Sequence, residues 1–300
     1  MHKDTIKTTL LAIVACLLWS TAFVGIKIGL QYTTPLQFAG LRFFFSGVLL
    51  LPFTKSLSRF YRVVSSNLWL IIKISFFQTF ILYALFYTGV DLIDGSLAAI
   101  IIGSQPLFAA LTAHWMMSND KMSLRKLLII SSGIGGIALI ALPKGLAGPG
   151  SWSELLGMAL LVLANIASGM GNVFVSKNNK QISPIILSAA QMMIGGFLLF
   201  LVSLLIEPFK GFIFPGEYYI ALSWLSFLSA AAFSIWFFLL QKEHVKVSDL
   251  NIYKFIIPVF GATLSWLVLP DETPNITSLA GMLIIGASVV MYGLFNIKKK

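Results

Sequence analysis

Long apolar runs follow one another along nearly the whole chain, separated by short polar breaks, with no strict alternation of apolar and polar positions. A transmembrane helix takes roughly 20 mostly apolar residues, and the runs have that length. Ten spans result, over residues 8–30, 35–53, 68–89, 94–117, 124–142, 154–176, 184–206, 217–240, 248–270 and 276–296. Inside lipid the backbone must satisfy its own hydrogen bonds, which leaves helices or a closed barrel. Continuous runs select helices over the alternating strands of a barrel. The pattern therefore predicts an all-α integral membrane protein. Composition agrees: at 58% hydrophobic and 11% charged, the chain is too apolar for a soluble domain of 300 residues.

The spacing of polar punctuation also predicts a duplication. Pro35 opens the second span and Pro184 the seventh, 149 residues later. Pro106 sits inside the fourth span and Pro258 inside the ninth, 152 residues later. In the first register Gly47-Val48-Leu49-Leu50 falls on Gly196-Phe197-Leu198-Leu199, Ala15 on Ala164 and Val24 on Val173. The expected halves are 1–148 and 149–300, with five spans each. An odd number of spans sends the second half into the membrane from the opposite side, so the prediction is two inverted five-helix repeats, an arrangement many secondary transporters share.

The formal charge of +10 does not change this picture towards nucleic acid. With the N-terminus inside, the inner side holds Lys3, Lys7, Lys55, Arg59, Arg62, Lys121, Arg125, Lys126, Lys177, Lys180, Lys242, Lys246 and Lys298 to Lys300, and the outer side only Lys144 and Lys210. Such a bias predicts both termini in the cytoplasm and a multi-pass protein of the inner or plasma membrane. The C-terminal lysines read as an orientation anchor at the lipid surface. Cys16 is the single cysteine and lies within the first span, so no disulfide forms within the chain. That first run is too long for a signal-peptide core and reads as a retained helix.

The chain resembles the ten-helix EamA-type members of the drug/metabolite transporter superfamily over essentially its whole length. The resemblance is carried by Leu18-Trp19-Ser20-Thr21-Ala22-Phe23, Leu41-Arg42-Phe43, Tyr87-Thr88-Gly89, Ser96-Leu97-Ala98-Ala99-Ile100 with Pro106-Leu107-Phe108, and Pro258-Val259-Phe260 followed by Asp271-Glu272. It departs from the usual pattern at Asn119-Asp120-Lys121, where a Glu-Arg pair is common. The resemblance implies a secondary carrier of small polar or amphipathic metabolites such as amino acids, working by alternating access in the direction of export. It also implies that the fifth and tenth spans stand outside the central cavity. A small-molecule substrate and membrane lipid are the expected partners, one chain suffices because both halves are present, and no cofactor is expected. A multidrug efflux carrier of the same superfamily is the alternative.

Buried polar groups are costly in a bilayer and tend to mark a pathway. The candidate cavity set is Trp19, Arg42, Gln78, Tyr83, Gln105, Asn165, Asn172, Gln191, Trp236 and Lys254. Each can equally pin one helix to another; Arg42 in particular reads as a cavity cation or as a structural residue bonded to carbonyls. Asn165, Ser168 and Asn172 recur at helical spacing and form one stripe. Lys27 and Lys73 lie close enough to span ends to snorkel. Pro106 and Pro258 are expected hinges, because a proline within a helix removes a backbone bond. Gly25 to Gly29, Ser132 to Gly136 and Ala167 to Gly171 are small-residue packing seams.

Several classes lose support. The acidic residues lie in or near loops, without the buried glutamate by which small multidrug exporters couple cationic drugs to protons. There is no Gly-Lys-Ser/Thr phosphate loop, no HExxH and no GxSxG, which argues against ATP-driven pumping and an intramembrane enzyme. The chain reads as a non-enzyme without a metal site. A non-transporting scaffold remains the rival from another class.

Overall fold

A computed structural model describes residues 2–118, 123–145, 151–177, 182–242 and 245–297, with side chains except those of 2–5, 126, 140–145, 151 and 292–297. The Asn119-Asp120-Lys121 departure and the basic residues Lys180 and Lys298 to Lys300 lie outside the described residues.

Eight helical spans are long and apolar enough to cross a membrane: α1 (Ile6–Leu30), α2 (Pro35–Thr54), α3 (Leu68–Leu92), α4 (Gly95–Met116), α6 (Trp152–Lys177), α7 (Pro184–Ile206), α8 (Gly216–Leu240) and α9 (Val247–Val268). Two more helices, α5 (Leu124–Gly145) and α10 (Ile276–Ile297), carry shorter apolar stretches and complete the ten. The ends agree with the hydrophobic pattern to within about three residues, because the runs end where polar and turn-forming residues begin. The link between α2 and α3, which the pattern leaves as a charged loop, holds an amphipathic helix, Leu57–Ser66. Its N-terminus is capped by Ser56, whose hydroxyl accepts the Arg59 N–H at 3.2 Å.

Packing follows the duplication. Three of the extensive pairs, α2 with α7, α5 with α10 and α4 with α9, each join one element to its counterpart in the other half. Likewise α3 packs on α6 as α8 packs on α1. Glycines make the order visible. A methyl group placed on Gly47 would lie 2.6 Å from the Ala189 carbonyl oxygen, and one on Gly196 would lie 2.9 Å from that of Gly40. In the 149-residue register Gly196 is the mate of Gly47 and Gly40 that of Ala189, so the two contacts are one contact seen twice. As the numbers rise along α2 they fall along α7: the pair is antiparallel. The same holds for α4 and α9, where Gly95 meets Ser265, Ala99 meets Gly261 and Gly103 meets Pro258. Equivalent helices running in opposite directions make the two five-helix repeats inverted.

Four spans are interrupted. α1 turns at Thr21, where Ser20 and Thr21 donate hydroxyls to the carbonyls of Cys16 and Leu18, each at 2.8 Å. α3 widens into a π-helical stretch, Phe76–Ile81. α4 breaks at Gly103–Ser104, just before Pro106. α9 tightens into a 3-10 turn, Ile252–Phe255, just before Pro258. All four interruptions fall beside the same central space.

Candidate functional site

That space is a cavity of about 60 Å³ lined by residues of α1, α2, α3, α4, α6, α8 and α9. It has room for a few water molecules and is smaller than a metabolite. Six of the ten candidate residues stand on its wall: Trp19, Arg42, Gln78, Tyr83, Gln105 and Lys254. Ser168, the middle of the α6 stripe, joins them. The wall also contains Phe23, Phe86 and Phe233. No acidic residue lies on it, and it holds two cations, Arg42 and Lys254. The duplication is visible here too: in the two registers Trp19 pairs with Ser168, Ile102 with Lys254 and Gln105 with Ile257, and all six line the cavity.

Local structure explains how each polar group arrives. The π stretch in α3 carries Gln78 and Thr79, both buried. Gln78 Nε2 donates to Asn172 Oδ1 at 3.4 Å, and Asn172 Nδ2 donates to Asn251 Oδ1 at 3.1 Å. Asn251 in turn donates to the Val247 carbonyl at 2.8 Å at the start of α9. An amide chain thus ties α3, α6 and α9 together. Asn165 serves the break in α4: its Nδ2 donates to the Ile101 carbonyl at 3.0 Å and to Ser104 Oγ at 3.1 Å. Asn165, Asn172, Gln191 and Trp236 are fully buried and stand behind the wall, supporting it.

Arg42 is anchored through Nε and Nη1. Its Nε donates to Ser229 Oγ at 3.0 Å and the Leu225 carbonyl at 3.3 Å, and its Nη1 donates to the Tyr87 hydroxyl at 2.7 Å. The guanidinium carbon lies 4.8 Å from the Phe43 ring centre. Its mate in the 149-residue register, Gln191, accepts the hydroxyl of Thr79. Each repeat therefore uses the same position to join a buried polar side chain to a hydroxyl on the other repeat. Lys254 has different company: its Nζ lies 4.6 Å from the ring centre of Trp236 and 5.3 Å from that of Trp19. Several buried polar atoms here have no partner, namely Trp19 Nε1, Trp236 Nε1, Gln191 Nε2, Gln78 Oε1 and Asn165 Oδ1. Unpaired groups of this kind are costly, and two of them, Trp19 Nε1 and Gln78 Oε1, belong to residues on the cavity wall.

Sequence reasoning missed Phe23, Phe86, Phe233, Tyr87 and Ser229; nothing in uniformly apolar spans distinguishes an inward aromatic from an outward one. Lys27 and Lys73 behave as their position near span ends suggests. Lys27 lines a polar recess of about 290 Å³ with Asp91, Asp94, Asp271 and Glu272 at the end of the bundle opposite the N-terminus. Lys73 is exposed, 5.5 Å from the Phe174 ring centre. Among the described side chains, none from α5 or α10 lines the cavity.

Comparison with known proteins gives the fold its context. The model of the EamA-like transporter family matches residues 6–142 and 155–294. The chain is 26% identical over 297 residues to the uncharacterized transporter YvbV of Bacillus subtilis (strain 168), covering 98% of this chain and 93% of the relative. It is 25% identical over 303 residues to a probable amino-acid metabolite efflux pump of Escherichia coli (strain K12), covering 96% and 94%. A crystal structure superposes with a TM-score of 0.72 over 96% of this chain and 98% of that one at 16% identity, a likeness of fold. With the family model matching both inverted halves, the chain belongs to the EamA-like transporter family and is a multi-pass membrane transporter.

Proposed function

We propose that this transporter is a secondary carrier that exports small polar or amphipathic metabolites, with amino acids the leading class, by alternating access. The observation that carries the proposal is the cavity between interrupted helices of two inverted repeats. Halves related by a two-fold axis in the membrane plane reach inward-open and outward-open shapes of similar energy by exchanging roles. The halves are 1–148 and 149–300. Trp19, Arg42, Gln78, Tyr83, Gln105 and Lys254 form the binding wall, and Asn165, Asn172, Gln191 and Trp236 hold it in place. Pro106 and Pro258 mark the bends through which α4 and α9 close one mouth and open the other. The bias of Lys and Arg to one side supports cytoplasmic termini in a plasma membrane. The relative named as a probable amino-acid metabolite efflux pump supports both the cargo class and the direction. A cation-bearing wall without carboxylates suits a zwitterionic or acidic cargo over a purely cationic one.

Counterflow in proteoliposomes tests this reading. Vesicles preloaded with unlabelled amino acids should accumulate labelled amino acid transiently, with saturable initial rates. Flux that rises linearly with concentration and shows no counterflow would identify a pore and overturn the carrier.

A further inference from the structure

The two cations on the wall are not equivalent, and their difference says what part of a cargo binds where. Arg42 is tied to protein through part of its guanidinium: Nε is shared by a carbonyl and a hydroxyl, Nη1 donates to a second hydroxyl, and an aromatic face lies beside it. Lys254 is 3% exposed, and its close partners among the described residues are two indole faces. Aromatic faces attract an ammonium but replace only part of its hydration. The two rings that flank it carry buried N–H donors without acceptors, and Gln78 on the same cavity carries a buried acceptor without a donor. Around Lys254 the unpaired donor on the wall is that of Trp19, with that of Trp236 behind it, and an unpaired acceptor lies on the α3 side, with Phe23, Phe86 and Phe233 also on the wall.

We propose that Lys254, supported by the indole rings of Trp19 and Trp236, is the anion subsite of the cavity, and that the cargo is a small organic carboxylate with an apolar body. The inference rests on the carrier reading of the same cavity and adds the chemical group that selects the cargo. The carboxylate meets the Lys254 ammonium, the apolar body takes the aromatic wall, and Gln78 Oε1 accepts a donor such as the ammonium of an amino acid. A matching amine without a carboxylate brings a second positive charge to Lys254 and is rejected.

A lysine kept for binding and one kept for structure respond oppositely to replacement. Exchanging an ammonium among aromatic faces for an apolar group of similar length relieves a buried charge, so Lys254→Met should leave the unliganded protein as stable as wild type or more so. The test is thermal unfolding of the full-length detergent-solubilised protein with two matched sets of probes. These are leucine, isoamylamine and isocaproate, and phenylalanine, phenethylamine and phenylpropionate. Carboxylate-bearing members of at least one set should raise the wild-type Tm while the amines do not. In Lys254→Met the apparent Kd for those members should rise at least about tenfold, with Lys254→Arg intermediate. Stabilisation by the amines alone, by no probe, or by carboxylates equally in Lys254→Met overturns the proposal. Lys254→Gln repeats the measurement should the methionine variant not fold, and failure of both to fold makes the lysine structural and also overturns it. If carboxylates bind as expected but reconstituted protein shows no counterflow, the carrier reading falls and the anion subsite stands.

Discussion

The α2–α7 pair and the α4–α9 pair are both made of equivalent helices meeting antiparallel across the repeat boundary, yet they are built for opposite ends. Along α2 and α7 glycines let backbone touch backbone, at Gly40, Gly47 and Gly196, and both helices run unbroken through the contact. Along α4 and α9 the close approach is a glycine against a proline ring, Gly103 on Pro258, and both helices are interrupted there. The first pair contributes only Arg42 to the cavity wall, whereas the second contributes Ile102, Gln105, Lys254 and Ile257. One symmetry relation thus produces an unbroken pair where small residues allow full helical contact and an interrupted pair where a proline ring fills the approach. On the proposed hinge role of Pro106 and Pro258, the first is the spine and the second the bendable pair. Close-packed backbones leave no room to slide, while freed carbonyls at a break can be taken up by neighbouring side chains, as Asn165 does.

The largest expected effect comes from breaking the spine. A side chain at Gly196 meets backbone, with the Phe44 nitrogen 2.4 Å from a built methyl carbon, and backbone cannot move aside as a flexible side chain would. Gly196→Leu should cost roughly 3 kcal/mol or more and yield little monodisperse protein on size exclusion. A methyl group at Gly135 on α5 meets nothing within 4 Å among the described residues, so Gly135→Leu should behave as wild type, and equal behaviour of the two variants would dissolve the distinction. Next in size is the bendable pair. Pro106→Ala and Pro258→Ala restore an N–H that lets the helices straighten. Each should lower turnover roughly tenfold with little change in Tm, because the loss falls on a conformational step. Initial-rate uptake decides: unchanged turnover in the double variant would show the kinks to be static.

How much of this is legible beforehand depends on what the signal must specify. Span number, order and ends are written as runs about 20 residues long, and the inverted duplication is written in two proline pairs at nearly one spacing. Which face of a span looks inward is written less plainly: α8 carries only the small hydroxyls of Ser223, Ser226 and Ser229 at helical spacing, a weak signal that does not single out Ser229 or Phe233. In α6 the stripe of Asn165, Ser168 and Asn172 was legible, but only Ser168 reaches the wall, since the asparagines are needed where α4 breaks and α9 begins. The turn at Thr21 and the π stretch at Phe76–Ile81 have no proline or glycine to announce them. The helix Leu57–Ser66 is short and flanked by charges, so its 3.6-residue period is lost in what reads as a loop.

A smaller effect distinguishes the carboxylates that span each pair. Glu207, after α7, accepts the N–H groups of Leu36 at 3.0 Å and Gln37 at 3.2 Å at the start of α2. Glu272, after α9, accepts those of Gly95 at 2.6 Å and Ser96 at 2.8 Å at the start of α4. Each neutralises the unpaired donors of a helix N-terminus. Removing either should cost about 1 kcal/mol of stability. The comparison sharpens in a second readout. With Cys16→Ala and a cysteine at Phe233, Glu272→Ala should speed labelling by an impermeant thiol reagent from the face opposite the termini, because it loosens the bendable pair. Glu207→Ala should not. Equal labelling in both would mean that the spine also opens.

The smallest effect lies outside both pairs and calibrates them. Tyr32, between α1 and α2, donates its hydroxyl to Glu217 Oε2 at 2.5 Å at the start of α8. That bond and the carboxylate charge raise the phenol above its ordinary value of 10. A folded-state value above the unfolded one means that the bond contributes fully below the unfolded value, and that the contribution disappears as pH rises through the folded one. The Tm of Tyr32→Phe should therefore sit slightly below wild type by a constant margin from neutrality to about pH 9, and the margin should shrink above about pH 10. Because the contact is exposed, its loss should leave both turnover and cysteine labelling unchanged. A margin that widens with alkali would reverse the sign of this linkage. A change in labelling would mean that the α1–α2 corner moves with the gate, and the division into one rigid and one bendable pair would have to be redrawn to include it.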